Sequence, residues 1–265
     1  MTSVTNAWQR RIERAEELAD RNTSLAEILR FYAEIVRFQV DLHDRLARLS
    51  PGRRTFDQVL SSDVMLELLP RFTGFLSVVE FHGPGRLARL AGNLRQGGAQ
   101  SWSELLNFCW ITPSASDALE FLARAFLQPL AELTRLQASP RPGISIHALC
   151  PFCSRKPGLG VLRPMGDGAA RSLVCSFCLA EWEFRRIVCP GCGEEDSRKL
   201  PVYTATEFDY IRVECCDTCK TYIKTVDLAK NGLAEPVVDE IAAAPLDLWA
   251  QEHGYAKLER NLMGM

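Results

Sequence analysis

Residues 173–193 read Leu-Val-Cys-Ser-Phe-Cys-Leu-Ala-Glu-Trp-Glu-Phe-Arg-Arg-Ile-Val-Cys-Pro-Gly-Cys-Gly. The stretch contains two Cys-x-x-Cys knuckles, and one more lies on either side of it. Eight of the ten cysteines belong to these four knuckles: Cys150/Cys153, Cys175/Cys178, Cys189/Cys192 and Cys216/Cys219. Because a Cys-x-x-Cys turn aims both sulfurs at one tetrahedral ion, the knuckles supply enough thiolates for two closed four-cysteine metal sites.

An internal repeat indicates how the knuckles pair. A shift of 39 to 41 residues lays Cys-Pro-Phe-Cys at 150–153 on Cys-Pro-Gly-Cys at 189–192, and residues 173–178 on 213–219. Each repeat then carries one complete site, which favours this pairing over a crossed one. The predicted ligands are Cys150, Cys153, Cys175 and Cys178 for the first metal and Cys189, Cys192, Cys216 and Cys219 for the second.

Disulfide bonds are the alternative use of these cysteines. A bridge across two residues closes almost no loop, so it would stabilise little. The N-terminal residues 1–11 lack the apolar segment of a signal peptide, so an oxidising compartment is not expected. Four sulfur ligands suit zinc and a rubredoxin-type single iron alike. We therefore expect two metal ions per chain, iron or zinc.

The N-terminal half is predicted to be helical. Residues 24–49 begin with the capping box Ser24-Leu-Ala-Glu27 and then place apolar side chains at three- and four-residue intervals. Weaker patterns predict helices at 6–20, 61–81, 85–96, 101–110 and 116–137. Prolines inside two of these segments, Pro70 and Pro129, are expected to kink or split their helices.

A break in the helical pattern divides the chain. Ala-Ser-Pro-Arg-Pro-Gly at 138–143 has the composition of a linker, and 265 residues allow two or three domains. Each metal module is predicted as a knuckle, an irregular loop, a short strand, a second knuckle and a strand. The alternating segments 181–184 and 220–226 supply the clearest strands, and 239–253 reads as a helix interrupted at Pro245.

The predicted fold class is therefore α+β and multidomain, a helical bundle followed by two rubredoxin-like or zinc-ribbon modules. The predicted domains are a helical domain at 1–138, a first four-cysteine module at 144–187, a second at 188–230 and a helical tail at 231–265.

The C-terminal half resembles the FdhE family of formate dehydrogenase accessory proteins. The resemblance rests on the four ordered knuckles, Glu181-Trp182, the Lys220-Thr-Tyr222 stretch and the closing Leu-Asp-Leu-Trp-Ala-Gln-Glu-His-Gly-Tyr at 246–255. It is specific over residues 150–260 and general over the helical half. It implies two rubredoxin-like modules behind a helical domain, with the eight knuckle cysteines as metal ligands.

The resemblance also implies a function. Such proteins take part in the maturation of formate dehydrogenase by contacting its catalytic subunit in the cytoplasm before export. We therefore expect a cytoplasmic, chaperone-like factor and no enzymatic activity, because four sulfurs close each site to substrate. No run approaches the about 18 apolar residues of a membrane span, so no stable membrane insertion is expected. The oligomeric state stays open.

Two alternative functions belong to other classes. Iron in the knuckles would make the protein a redox-active rubredoxin-like carrier. Zinc ribbons also bind nucleic acid, but residues 141–230 hold 13 Lys and Arg against 11 Asp and Glu. Two filled four-thiolate sites would add about four negative charges, so the basic surface that phosphate binding requires is not expected.

Several residues near the knuckles have two interpretations. Cys215 and His147 are possible alternative ligands, but we expect Cys215 to face away from the metal and His147 to be unnecessary beside eight cysteines. Cys109 is expected in the core. Trp182 and Tyr222 are expected to pack over the metal sites. Six cations are expected to offset thiolate charge or, alternatively, to dock an acidic partner: Arg155, Lys156, Arg185, Arg186, Lys220 and Lys224.

Overall fold

The computed structural model describes residues 2–49, 56, 59–60, 62–112, 118–140 and 148–265. The chain forms two compact units, one ending at Ser139 and the other beginning at Pro140. His147 and part of the proposed linker at 138–143 lie outside the described residues. The finer four-part division stays a prediction.

Six helices form the first unit within the described residues, and each overlaps a predicted one. They are α1 (Thr2–Arg21), α2 (Ala26–Leu49), α3 (Ser62–His82), α4 (Gly85–Arg95), α5 (Ala99–Ile111) and α6 (Ala118–Gln137). Both α3 and α6 continue through their internal prolines, Pro70 and Pro129, so neither helix splits, and a kink at these prolines stays a prediction. Proline removes one backbone hydrogen bond, and close packing around α6 holds the helix across that gap.

Aromatic side chains form the centre of this unit. Phe72 and Phe75 from α3 meet Phe126 from α6 with ring centroids 4.9 and 5.7 Å apart, and Phe38 from α2 lies 5.3 Å from Phe75. Tilted rings at these separations add to the stabilisation from burial. The apolar stripe of α2 therefore faces the core, as its periodicity predicts.

Buried polar contacts also tie α6 to its neighbours. The guanidinium of Arg11 donates to both carboxylate oxygens of Glu132, at 3.1 and 3.3 Å. Gln39 donates to the Ala125 carbonyl at 2.6 Å and to the Gln128 side chain at 3.2 Å. Because such contacts are directional, they fix the rotation of α6 more narrowly than apolar packing alone.

The second unit is built on one mixed β-sheet. Its strands are β1 (Pro157–Met165), β2 (Gly168–Cys175), β3 (Glu181–Glu183), β4 (Val202–Thr204), β5 (Ile211–Cys216), β6 (Thr221–Asp227) and β7 (Ala256–Lys257). The order is β3-β2-β1-β6-β5-β4, and β7 pairs with β6. Short 3-10 helices lie at Ser197–Lys199 and Thr206–Phe208.

The first four-cysteine repeat contains an antiparallel hairpin, in which β2 is the short strand expected before the second knuckle and β1 lies where the sequence suggested an irregular loop. That prediction was wrong because residues 157–162 are buried throughout and show no polar-apolar alternation. β1 also pairs in parallel with β6 of the second repeat, which joins the two repeats in one sheet. At this junction Gly160 lies opposite Thr225, and a Cβ on Gly160 would come within 2.4 Å of the Thr225 hydroxyl. Glycine is needed here for the close approach of the two strands.

Two helices, α7 (Pro236–Ala242) and α8 (Ala244–Glu252), follow the sheet. Pro245 lies in the first turn of α8, where its missing N–H costs nothing, so the second helix begins beside it, at Ala244. Residues of α8 join the buried core formed by Val213, Tyr222 and other sheet residues. The helices thus cover the sheet face to which these side chains point.

A buried charged network links this face to the helices. The ammonium group of Lys224, on β6, donates to the carboxylate of Asp247 at 2.6 Å and lies 3.1 Å from that of Glu240. Lys257 forms ion pairs with the same two carboxylates. Asn261 donates to Glu240 and Tyr222 to Asp247, both at 2.7 Å. Two cations therefore balance two anions away from water.

The network shifts the pKa values of its charged side chains. Burial alone would raise the pKa of Glu240, but Lys224 and Lys257 lower it to about 2. Burial lowers the pKa of Lys224, and the adjacent carboxylates oppose that shift. The group is stable only as a complete set, because loss of one partner leaves a buried charge uncompensated.

No helix in the described part of the chain has both the length and the apolar character needed to cross a membrane.

We predict that Lys224→Ala lowers the free energy of unfolding by about 3 to 5 kcal/mol, because it leaves Asp247 and Glu240 with a single buried cation. Lys199→Ala is the matched control: Lys199 is exposed and pairs with Glu194 at 3.4 Å, so its loss costs less than about 1 kcal/mol. Urea unfolding followed by tryptophan fluorescence measures both. Equal losses for the two variants would contradict the proposed importance of the network.

Candidate metal centres

The knuckles share one backbone turn. In three of them the N–H after the second cysteine donates to the carbonyl of the first: Ser154 to Cys150, Gly193 to Cys189 and Lys220 to Cys216, at 2.9 to 3.0 Å. This bond folds the turn back so that its two thiols point to the same side.

Each knuckle ends with a residue in the left-handed region. The φ angles are 60° at Ser154, 51° at Leu179, 78° at Gly193 and 55° at Lys220. Ser154, Leu179 and Lys220 are the only non-glycine residues with a positive φ in the described part of the chain. A left-handed non-glycine residue costs about 1 to 2 kcal/mol, so the turns store strain that the rest of each site must offset.

The first group of four sulfurs lies between the ends of β1, β2 and β3. The sulfur of Cys150 lies 3.5 Å from that of Cys178, and the sulfur of Cys153 lies 3.4 Å from Cys175 and 3.6 Å from Cys178. All four sulfurs lie within 4.8 Å of one another. Three of these cysteines are buried and Cys153 is half-buried.

The second group lies beside β5 and β6. The sulfurs of Cys189 and Cys219 are 3.7 Å apart, and those of Cys192 and Cys216 are 3.6 Å apart. All four again lie within 4.8 Å. Cys192 is exposed and Cys219 half-buried, so this group is more open to solvent than the first. The grouping of sulfurs in both clusters is the one that the internal repeat predicts.

The donor set fits a tetrahedral ion. Four sulfurs about 2.3 Å from a central zinc ion are about 3.8 Å apart, close to the observed separations. Backbone N–H groups also point at the sulfurs, from Phe177 to Cys175 at 3.4 Å and from Gly191 to Cys189 at 3.3 Å. Such contacts spread the negative charge of bound thiolates. Two four-cysteine groups that can bind metal ions are thus present.

Electrostatics also favours a cation in these clusters. The neighbouring sulfurs of Cys150, Cys153 and Cys175 raise the pKa of Cys178 far above the usual thiol value. Four thiols so close together cannot all ionise unless a positive charge compensates. At the more open group, burial is the largest single influence on Cys219 and opposes its ionisation, but hydrogen bonds with Thr221, Cys192 and Cys216 together outweigh it and lower its pKa to about 7.

The two remaining cysteines lie outside both groups. Cys215 pairs with Tyr222 across β5 and β6, and its side chain is buried in the core beneath α8. Burial raises its pKa to about 12, so it is a poor thiolate ligand. Cys109 is buried in α5. Both positions agree with the sequence analysis.

The flanking cations do not form one docking patch. Lys224 is fully buried in the ionic network, and Arg155 is buried with its guanidinium 4.2 Å from the centre of the Phe177 ring. Arg185 pairs with Glu195 at 2.6 Å, and Lys220 pairs with Asp217 at 2.8 Å. The alternative of a common acidic-partner patch was therefore wrong for Lys224 and Arg155, whose strand and turn positions turn them inward.

The two aromatic residues expected near the metals are both buried. Trp182 lies on β3 opposite Leu173 of β2, and its side chain is 9% exposed. Tyr222 is 1% exposed, and its hydroxyl donates to Asp247. Tyr222 therefore connects the second repeat with the ionic network, a role that the sequence did not indicate because Asp247 is 25 residues away.

Comparison with known proteins identifies relatives over most of the chain. Residues 149–186 match the family model "FdhE, central domain", and residues 187–263 match "FdhE, C-terminal domain". A protein of Aquifex aeolicus named "Protein FdhE homolog" is 31% identical over 91% of this chain and 87% of its own length. A "Protein FdhE" of Escherichia coli is 28% identical over 97% of this chain and 88% of its own length.

A solved structure has a similar fold. The crystal structure of the FdhE protein from Pseudomonas aeruginosa matches with a TM-score of 0.70 at 23% identity, covering 99% of this chain and 97% of that chain. The match shows the fold of the chain, a helical unit together with a unit that contains both four-cysteine groups, in agreement with the predicted α+β class.

We predict that Gly193→Ala lowers the free energy of unfolding by about 1 to 2 kcal/mol, because Gly193 has φ of 78° and an added Cβ meets no other atom within 4 Å. Its cost is therefore backbone strain alone. Gly168→Ala is the control, since its φ is not in the left-handed region and its Cβ would make ordinary contact with the Met165 carbonyl at 3.8 Å. Urea denaturation measures the free energy of unfolding of both variants, and equal losses would contradict the strain argument.

Proposed function

We propose that this chain, which belongs to the FdhE family, is an accessory factor in the maturation of formate dehydrogenase. The proposal rests on family membership and on the two closed four-sulfur groups that accompany it here. The client is the catalytic subunit, which the protein contacts in the cytoplasm before export. A metal ion bound by four sulfurs would offer no ligand position to a substrate, so the role we propose is binding and not catalysis.

We propose that the eight knuckle cysteines hold two metal ions, iron or zinc. A bound ion supplies folding energy by cross-linking two knuckles that each carry a strained turn. The protein's own residues position the sulfurs. Backbone N–H groups orient them, and the sheet between the two four-cysteine groups holds both groups at fixed positions. The ions would thus stabilise the surface that the client meets.

Electron transfer is the second candidate function, and the exposure of Cys192 favours it. A single iron with an exposed sulfur ligand is accessible to a redox partner, whereas the more buried first group is shielded. Nucleic-acid binding has no comparable support, since the cations near the knuckles are mostly paired or buried.

The accessory role predicts the phenotype of cells that lack this protein. We expect formate-dependent dye reduction to fall to background while the catalytic subunit is still made, and the wild-type gene to restore activity. Activity staining and immunoblotting of the same extracts separate failed maturation from failed synthesis. Unchanged dye reduction would contradict the proposed function.

Adjacent cysteines provide a test of the metal sites. We expect the wild-type protein to hold two ions per chain. The Cys216→Ala variant should hold one ion and lose binding of the catalytic subunit, because it lacks a metal ligand. The Cys215→Ala variant should retain both ions and bind the catalytic subunit. Mass spectrometry of protein purified with and without oxygen counts and identifies the metal, and a pull-down measures binding. Two ions in Cys216→Ala would contradict the ligand assignment, and zinc in both preparations would exclude electron transfer.

A further inference from the structure

A cavity of about 440 Å³ lies within the second unit. Leu162 and Arg171 pair across β1 and β2, Glu214 and Ile223 pair across β5 and β6, and all four line the cavity. The alternate residues Val213 and Val226, which do not line the cavity, belong to the core beneath α8. The cavity therefore lies on the sheet face opposite to these helices, and its volume is within the range of small-ligand and side-chain pockets.

Positive charge predominates in the lining. The lining contains three arginines, Arg171, Arg186 and Arg212, and one acidic residue, Glu214. Arg212 is paired with Asp227 at 2.8 Å. Arg171 donates to Glu214 at 2.6 Å and to the Arg185 carbonyl at 3.0 Å.

Two guanidinium groups keep unused donor capacity. The Arg171 side chain is 2% exposed, and its Nε has no hydrogen-bond partner in the part of the chain that the structure describes. The guanidinium of Arg186 donates to the Ala169 carbonyl at 3.3 Å and forms no salt bridge to any described residue. A buried unpaired donor is costly, and a carboxylate or carbonyl oxygen brought in by a ligand would relieve that cost.

The rim of the cavity is apolar. Ile187 is 56% exposed and Val202 is 53% exposed, although both side chains are large and hydrophobic. Exposed aliphatic side chains around a concave site are typical of protein-binding surfaces. The side chains of Ile187 and Val202 would contact the ligand residues that flank the residue entering the cavity.

The position of β4 favours an extended chain as the ligand. β4 is the last strand of the sheet, so one of its edges has no neighbouring strand among the described residues. Val202, its first residue, also lines the cavity. A free edge beside a pocket is the arrangement by which domains bind extended peptides, with backbone pairing along the edge and side chains in the pocket.

We propose that this cavity and the β4 edge bind an extended segment of the client in which an aliphatic residue adjoins Asp or Glu. The aliphatic side chain enters between Ile187, Val202 and Ile223, and the carboxylate pairs with Arg186 and the Nε of Arg171. This assignment rests on the proposed function, because it takes the client to be the catalytic subunit of formate dehydrogenase.

The first test measures binding of the purified catalytic subunit to the full-length, zinc-loaded protein by biolayer interferometry. We expect Ile187→Glu and Arg186→Glu each to raise Kd at least about tenfold, since they place negative charge where the acidic segment lies. Leu248→Glu is the control: Leu248 is 62% exposed on α8, across the sheet from the cavity, and we expect its Kd to stay within about twofold of wild type. Thermal melting confirms that all three variants are folded.

A second measurement identifies the segment. Fluorescein-labelled 15-residue peptides that tile the catalytic subunit are titrated with the same proteins, and anisotropy reports binding. We expect the binding peptides to share an aliphatic residue next to Asp or Glu, to weaken with salt, and to lose binding when that acid is replaced by Lys.

The outcomes separate this inference from the proposed function. Binding of the intact subunit that is unchanged in both cavity variants overturns the inference and leaves the accessory role intact. A preference for basic or uncharged peptides also overturns the inference. So does a small molecule that fills the cavity without displacing the catalytic subunit. Failure of the wild-type protein to bind the subunit contradicts the proposed function itself.

Discussion

The parallel pairing of β1 with β6 is the interaction on which the second unit depends. Each four-cysteine repeat alone has a short hairpin and two knuckles, too little apolar surface for an independent core. The pairing joins both repeats in one sheet with two continuous faces. Gly160 permits it, because any side chain there would meet Thr225 before the strands reached hydrogen-bonding distance. The fixed spacing of the two sulfur clusters follows from this pairing.

The two faces of that sheet have different roles. Lys224, on β6, points toward α7 and α8 and anchors them through Asp247 and the Glu240 carbonyl. Its neighbour Ile223 points the other way and lines the cavity. A charged network is a costly means of attaching helices, but it is directional, and a directional anchor holds the helices to one face while the other remains open. Adjacent residues of one strand thus serve stability and binding separately.

The sequence predicted the parts of this architecture that have a local signal. The helices follow from apolar periodicity in stretches such as 24–49, and the grouping of cysteines follows from the repeat. β1 was missed because burial on both faces removes the alternation that marks a strand. The burial of Lys224 was missed because its partners Glu240 and Asp247 lie in a later helix pair, and no local pattern distinguishes a lysine that offsets thiolates from one that anchors a helix. The cavity exists only once the strands pair, so it has no sequence signal.

The cavity and the second sulfur cluster share residues, and this has a thermodynamic consequence. Cys189 and Cys216 belong to the cluster and also line the cavity wall. An ion that draws their sulfurs together would shape the wall that a bound segment touches, and in that case metal and segment would each change the affinity of the other by the same factor. Because Cys192 is exposed, an ion in this cluster would exchange more readily with solvent than one in the first cluster. The buried first cluster has no such connection to the cavity among the described residues. The two clusters are therefore unequal although both follow from the same repeat: an ion in the first would stabilise the sheet, and an ion in the second would make the proposed client binding depend on metal.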